Sequence, residues 1–503
     1  MVGVFVVNGL RETRIPESGC VLRRITACGL VVLLAGVAGW VMPRGPVTTL
    51  AAFTFLAAAV GMGFAFGRLS STRWAIPLTI VVFMGVFEVA RSRVDGPTVD
   101  GIALSGAYEV MALVAGRGID AVLMLLPLGV GTAWGLSTSR ALPQRRHSRP
   151  VWVRNVALVV ATGAVALLAA GLLRPASTAT IVNAQGMKLA GSIAELVQVP
   201  IGGHDQSIMI RGTSTSSPVL LFLEGGPGGT GIGRIRHSGE ALEEDFVVAV
   251  WDQRGTGKSF RALEPAETLT LDQMVRDTVE VTRYLLGRFD QDRLYLVGSS
   301  WGTIIGTLAV QDHPELFHAW IGTGQMVDPF ETDQLMYEEN LHDARTRGDA
   351  SATDRLEAMG PPPYEDTLDY PVAISSNPKW MQFKHGHDYD PSSEYPLSLF
   401  VDEYELVDQL RGMAAIAETF HVLYPQLAKT DFRRTVPELQ VPVHLVQGDH
   451  EAAGREVLAR EWFDLLEAPE KHYVVFEQSG HTPPYDEPGR FAEYMAGIAV
   501  TRR

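Results

Sequence analysis

The chain has 503 residues, with 57 acidic against 42 basic side chains and a formal net charge of −15 at pH 7. That balance speaks against nucleic acid as a partner, since a phosphate backbone is held through clustered Lys and Arg. Both of its cysteines, Cys20 and Cys28, lie near the N-terminus, so neither a disulfide framework nor a thiolate metal site is expected in the rest of the chain.

Apolar residues are unevenly placed. Runs of near-spanning length fall at about 25–42, 47–66, 74–90, 119–137 and 155–173. A signal peptide accounts for the first and not for the others. Ile25-Thr26-Ala27-Cys28 looks like a lipobox, but the apolar run follows the cysteine where a lipoprotein signal puts it before, so lipidation is not expected. The stretch 101–116 is apolar, short and interrupted by Glu109; it reads as a re-entrant or surface-lying segment. Five spans put the two ends of the chain on opposite sides, and six put them on the same side. With the N-terminus inside, the inner segments carry Arg11, Arg14, Arg23, Arg24, Arg68, Arg73 and the arginines of 140–154. The outer ones carry Arg44, Arg91, Arg93, Arg117 and Arg174. The excess favours five spans with the remaining domain outside the cytoplasm, an integral membrane protein in contact with the lipid bilayer. Glu88 falls near the end of the third run, beside Arg91, at the depth of the interface.

After a linker at 175–191 the texture changes. Candidate strands at 192–200 and 206–211 are followed by a buried-strand run at 217–223 that leads into Glu224-Gly225-Gly226-Pro227-Gly228-Gly229. A second run, Phe246 to Trp251, leads into Asp252-Gln253-Arg254-Gly255-Thr256-Gly257-Lys258-Ser259. Residues 270–288 have helical periodicity. Leu294 to Val297 then runs into Gly298-Ser299-Ser300-Trp301-Gly302, and an apolar helix starts at Thr303. Strand, loop and helix in repetition predict a mostly parallel sheet with helices on both faces, whose ligands sit beyond the carboxyl ends of the strands. The alternation lapses over 326–440, a helical, polar region read as an inserted cap, and resumes at Val441 with a strand ending in Gly448. A helix at 455–466, a strand at 472–477, Ser479-Gly480-His481 and a closing helix at 487–499 complete the core, which spans 192–325 and 441–503.

A serine between Gly298 and Gly302 has the setting of a nucleophile elbow: the turn is too tight for side chains two residues before and after it, and the following helix aims its N–H groups at developing negative charge. The pentapeptide alone is a weak signal; its place between a strand and a helix is what counts. A serine hydroxyl needs a base, and the base an orienting carboxylate. Ser300 is the candidate nucleophile and His481, after the last strand, the candidate base. Asp449 and Glu451 compete for the acid just beyond Gly448. His342, His385, His387 and His421 lack such placement, and His385-Gly386-His387 is too isolated for a metal site.

The strings EGGPGG, WDQRGTGKS, GSSWGT, GDHE and SGH, in this order and spacing, resemble the proline iminopeptidases of the α/β-hydrolase family over about 192–500. The resemblance implies an α/β-hydrolase fold with a helical cap, Ser300 as nucleophile, His481 as base and Glu451, three after Gly448, as acid. It also implies an oxyanion hole from the backbone N–H groups of Trp301 and Gly226, and no cofactor. Two residues depart from the family pattern: Glu451 stands where Asp is usual, and Glu224 where the family has His. Asp252 and Arg254 are expected to pin a loop together. Acidic residues of the cap would bind a free α-amine; Glu338 and Glu339, with Glu331 on the same stretch, are the candidates. Three functions follow from this: a membrane-anchored aminopeptidase acting on short peptides, an esterase or amidase of small or lipid-like acyl substrates, or a non-catalytic binding module on a membrane platform.

Overall fold

The structure is a computed structural model describing residues 17–70, 72, 74–102, 104, 106–139, 151–386 and 389–500. Arg11, Arg14, Arg73, the loop arginines at 140, 145, 146 and 149, and His387 lie outside the described residues. The chain packs as two compact units: one from the described parts of 1–46, 50–94 and 120–171, the other from 47–49, 95–119 and 172 onward.

In the second unit, apolar residues at every position of the middle strands build a sheet buried on both faces. The strands are β1 (Ile193–Ile201), β2 (His204–Gly212), β3 (Val219–Leu223), β4 (Val247–Asp252), β5 (Leu294–Ser299), β6 (Phe317–Thr323), β7 (Val443–Gly448) and β8 (Lys471–Phe476). Their order is β1-β2-β4-β3-β5-β6-β7-β8. β1, β2 and β4 pair antiparallel, while β3 to β8 run parallel, so all their carboxyl ends meet at one edge. Alternation divides the side chains: Val219, Leu221 and Leu223 of β3 enter one core, Leu220 and Phe222 the other.

Helices precede this sheet in the chain and cover both its faces. The helices before it are α1 (Glu17–Val41), α2 (Thr49–Ser70), α3 (Ala75–Arg91), α4 (Ala107–Ser137, with two π-helical turns) and α5 (Val151–Leu172). Around it lie α6 (Gly231–Ser238), α7 (Leu271–Phe289) and α8 (Trp301–Asp312). Leu285 of α7 and Ile304 of α8 pack on one face of the sheet; Ile232 and Ile235 of α6 pack on the other. The cap between β6 and β7 holds α9 (Pro329–Arg347), α10 (Ala350–Met359), α11 (Asp369–Ser375), α12 (Trp380–His385) and α13 (Leu406–Leu423). The core closes with α14 (Ala453–Leu465) on the α7–α8 face and α15 (Pro488–Val500) on the α6 face.

Helix ends follow their local chemistry. α7 starts where the Thr270 side chain accepts the Gln273 N–H, and it stops at Asp290 in the left-handed region, φ 53°. α9 starts at Asp328, capping the Glu331 N–H, with Pro329 in its first turn, and stops at Gly348.

In the first unit, α2 and the second half of α4 cross at glycines. A Cβ at Gly63 would lie 2.3 Å from the Leu128 carbonyl oxygen, and one at Gly67 would lie 2.1 Å from that of Thr132. Gly131 and Gly135 meet Val60 and Phe64 in the same way, at 2.2 and 2.1 Å. Two Gly-x-x-x-Gly stripes therefore let the backbones touch, the packing small residues allow between apolar helices. Buried Arg91 binds Glu88 at 2.6 Å and Asp120 at 3.1 Å, so Glu88 is part of an ion-paired cluster at the end of α3. Three helices, α2, α4 and the 152–172 part of α5, are long and apolar enough to cross a membrane. Residues 95–119 were expected within the N-terminal apolar region; the structure packs them into the second unit instead.

Asp252 and Arg254 do not pair with each other. Asp252 accepts N–H bonds from Lys258 and Ile232 and the Tyr404 hydroxyl, whereas Arg254 pairs with Asp277 on α7. Both hold the 252–259 loop, one from within and one from the neighbouring helix. Arg254 and Asp277 are fully buried, with N···O at 2.8 Å. Asp277→Asn leaves a buried guanidinium without its counter-charge and is expected to cost about 3–5 kcal/mol, read by denaturant unfolding of the variant beside the wild type.

Candidate active site

Five loops at the carboxyl edge of the sheet supply the site. The sharpest is the turn between β5 and α8. Ser300 has φ 52° and ψ −117°, a strained conformation for a residue with a side chain. Crowding enforces it: a Cβ on Gly302 would lie 2.2 Å from the Leu223 carbonyl oxygen, and one on Gly298 would lie 2.5 Å from the Trp320 ring. Only glycine fits either place, as the sequence pattern implied. Ser300 N–H donates to the Thr323 carbonyl at 2.9 Å, tying the turn to β6.

The Ser300 hydroxyl lies 2.9 Å from His481 Nε2. His481 Nδ1 is hydrogen-bonded to Glu451 Oε2, which fixes the tautomer: Nδ1 carries the proton and Nε2 is free to accept one. Between the two competing carboxylates the structure decides for geometry. Glu451 is buried behind the imidazole, and Asp449 is exposed. The acid and histidine loops are joined by backbone bonds, His450 N–H to Ser479 O at 3.0 Å and Asp449 N–H to Phe476 O at 2.9 Å. Glu451 Oε1 also accepts the Ala452 N–H at 2.9 Å and faces Arg455 at 3.5 Å. Burial works against the Glu451 anion, but His481, Arg455 and that N–H outweigh it and hold the carboxyl below its usual range. Burial and the Arg455 cation together depress His481 below 6.5, against the pull of Glu451. The resting pair is a carboxylate and a neutral imidazole.

Trp301 opens α8, so its N–H has no helical carbonyl to bind. The Gly225 backbone comes close from the other side: a Cβ there would stand 3.1 Å from Ser300 Cβ. Gly226 follows it, exposed and at φ 126°. The glycine loop and the start of α8 thus flank Ser300 on two sides.

Glu224, where a histidine was expected from the resemblance, is 1 % exposed. It accepts the Gly225 N–H at 2.9 Å, Arg234 Nη1 at 2.9 Å and the Tyr485 hydroxyl. Arg234 in turn binds Glu394 at 2.7 Å and the Ser393 carbonyl at 2.9 Å, both in the cap. One carboxylate thus joins the glycine loop, the cap and the segment after His481, facing away from open solvent. Gln253 adds a second brace, donating to the Glu224 carbonyl at 3.0 Å and accepting the Trp301 indole N–H at 2.9 Å.

The cap carboxylates distribute differently from expectation. Glu338 is exposed, Glu339 is half-buried with its carboxyl raised by burial against nearby Lys379, and Glu331 binds Arg433. The carboxylate α9 turns inward is Asp333, which burial raises to about 7 and which accepts the Tyr424 hydroxyl at 2.7 Å. It shares Arg455 as an electrostatic neighbour with the Glu451–His481 pair. Its signal lay in the sequence: Thr332, Asp333, Met336, Tyr337, Asn340 and Ala344 recur at helical spacing and form the buried face. Arg455 was also legible, four residues after Glu451. Among the described residues no group of His, Cys, Asp and Glu has the arrangement of a metal site.

Residues 218–488 match the model of the alpha/beta hydrolase fold. The probable aminopeptidase YbaC of Bacillus subtilis (strain 168) is 30% identical over 306 residues, 61% of this chain and 96% of that protein. The proline iminopeptidase of Heyndrickxia coagulans is 22% identical over 296 residues, 56% of this chain and 89% of that protein. Among solved structures, the proline iminopeptidase of Mycobacterium smegmatis is similar at 20% identity and a TM-score of 0.45, over 61% of this chain and 98% of that one.

Two measurements test the geometry. Glu451→Gln is expected to lower kcat by about a thousandfold or more, while Asp449→Asn stays within a few-fold of wild type. The second reads pH. A depressed His481 stays neutral into mildly acid solution, so the acid limb of kcat/KM should fall below the ordinary histidine value of 6.5. Arg455→Met removes a cation that opposes imidazolium and should move that limb to higher pH.

Proposed function

Because the chain belongs to the α/β-hydrolase family, we propose that it is a membrane-anchored serine hydrolase that removes N-terminal residues from short peptides. The observation that carries this is the Ser300 hydroxyl 2.9 Å from His481 Nε2, with Glu451 behind the ring. In the proposed reaction His481 takes the hydroxyl proton as Ser300 Oγ attacks the scissile carbonyl. The oxyanion rests on the N–H groups of Trp301 and Gly226. His481 then returns the proton to the leaving amine, and an acyl-enzyme remains on Ser300. Water, deprotonated by the same imidazole, attacks the ester, and the serine regains its proton as the acid leaves. None of these steps calls for a cofactor. The relatives named as aminopeptidases support an amide at a free amino end as the bond cleaved. An acidic cap supports binding of the protonated amine, with Glu338 and Glu339 as the residues proposed from the sequence and Asp333 as the inward-facing alternative.

Membrane anchoring rests on the apolar helices. The packing of 95–119 with the cap supports five spans over six, because a segment docked on the α/β unit is on that unit's side of the bilayer. With the N-terminus inside, that side is outside the cytoplasm.

A second reading, hydrolysis of a small or lipid-like acyl ester, has one observation of its own. A cleft of about 360 Å³ between residues 97–117 and the cap loop at Glu365, Asp366 and Leu368 is bordered by exposed Ile102. His421 lines this cleft, five residues along α13 from Ile416, whose backbone lies against Gly228. That is about 8 Å along a helix. A purely non-catalytic module is the least favoured, since it has no use for the hydrogen-bonded Ser300–His481–Glu451 set.

A fluorophosphonate probe is expected to label wild type at Ser300 and leave Ser300→Ala unlabelled; wild type without label sinks the hydrolase reading. Rates on a prolyl amide with a free amine, its N-acetylated form and a short-chain ester then separate the first two. The aminopeptidase reading expects the acetyl group to abolish turnover.

A further inference from the structure

The stretch 95–119 has two apolar faces, and only one of them is covered by the α/β unit. On the covered face Ala112 and Ala115 are buried, Tyr108 donates to Ser375 at 3.2 Å, and the Thr98 N–H donates to the buried Glu418 carboxylate at 3.0 Å. On a helix, positions 108, 112 and 115 share one side and 110, 111 and 114 another. That second side is bare: Val110, Met111 and Val114 are 41, 45 and 56 % exposed, with Ile102 and Leu104 at 66 and 67 % just before the helix.

A second bare patch lies in the cap. Leu397 and Phe400 are 51 and 63 % exposed. The strand of chain after α5 is fastened beside them, Ser177 N–H to the Asp402 carbonyl at 2.9 Å and Arg174 to the Asp402 carboxylate.

We propose that these two patches are a seat by which the α/β unit rests on the lipid surface, their side chains inserted among headgroups and upper acyl chains. The inference rests on α4 and α5 being membrane spans. Covalent continuity points to lipid as the occupant. α4 runs without a break from Ala107 to Ser137, so Val110, Met111 and Val114 lie in its first turns, and α5 ends at Leu172, two residues before Arg174. Each patch is therefore held within a few residues of a helix leaving the bilayer, where an apolar side chain exposed to water loses that exposure by reaching inward. Asp95, Asp100 and Glu109 flank the first patch together with Arg93 and Arg117. With no excess of positive charge to draw anionic lipid, the contact is hydrophobic and should persist in zwitterionic vesicles at high salt.

The test uses the full chain with Cys20→Ser and Cys28→Ser and one environment-sensitive fluorophore, placed in turn at Met111→Cys, Phe400→Cys, Val159→Cys in α5 and Leu465→Cys. The last is an exposed apolar residue on α14, 61 % accessible and remote from both patches in sequence. In phosphatidylcholine vesicles, the expected result is quenching by spin-labelled lipid at 111, 400 and 159, unchanged by salt, with position 465 quenched by aqueous iodide alone. If 159 is quenched by lipid while 111 and 400 answer only to iodide, the seat is overturned and the span stands. If 159 too answers only to iodide, the span falls and the seat with it. Shielding of 111 and 400 from both quenchers overturns the proposal in favour of a protein partner, such as a second copy of the chain.

Discussion

The site depends on how closely two backbones approach. The end of β3 presses its Leu223 carbonyl against the α-carbon of Gly302, and Ser300 is forced to φ 52° between them. A side chain in that conformation costs on the order of 1–3 kcal/mol, offset here by the bond from Ser300 N–H to Thr323 and by two from Thr303 to the Ser300 carbonyl. What the strain achieves is exposure. The hydroxyl stands at the sheet edge 2.9 Å from His481 Nε2, at the start of α8, whose first amides have no helical carbonyl to bind. Relaxing the turn would move nucleophile and N–H together, which is why one steric constraint sets both.

Around that turn the charges are buried and paired. Glu224 beside an oxyanion would be a poor choice if it acted as a free anion, since like charges a few ångströms apart repel strongly in a low-dielectric interior. Arg234 cancels it, with its guanidinium over the Tyr485 ring at 3.7 Å and its other arm on Glu394. What remains for Glu224 is mechanical: it holds the Gly225 amide and through Arg234 holds the cap. A histidine could hold the loop, but it carries no negative charge to pair with a guanidinium. The departure from the family's residue is therefore matched by a partner elsewhere in the chain.

The strand–loop–helix alternation placed β1 to β5, β7 and β8 to within about two residues, because burial on both faces leaves a period-two or continuous apolar run. Ser300 and His481 were legible for the same reason, each following a strand that ends at one sheet edge; the end of β7 left Asp449 and Glu451 open, and it was the resemblance that implied Glu451. The unread features are contacts between residues far apart. Nothing local marks Arg234 as the partner of Glu224, or Asp277 rather than Asp252 as the partner of Arg254. The meeting of Gly63 and Gly67 with the Gly131–Gly135 turn is likewise a tertiary fact that no single stretch marks. The cap was the weakest reading, because irregular helices carry their buried polar residues, Asp333 among them, on faces that look amphipathic rather than catalytic.

The same gap explains why 95–119 was grouped with the apolar helices around it. Its composition is theirs, yet its buried side is matched to α13. That helix carries Glu418, which takes the Thr98 N–H, then Thr419, whose hydroxyl donates to the Gly255 carbonyl at 2.7 Å, while Ile416 packs on Gly228. Within four residues, then, α13 touches the 95–119 segment and both glycine-rich loops. A piece of the N-terminal half of the sequence thus packs within the α/β unit, against the helix that backs the Gly228 turn.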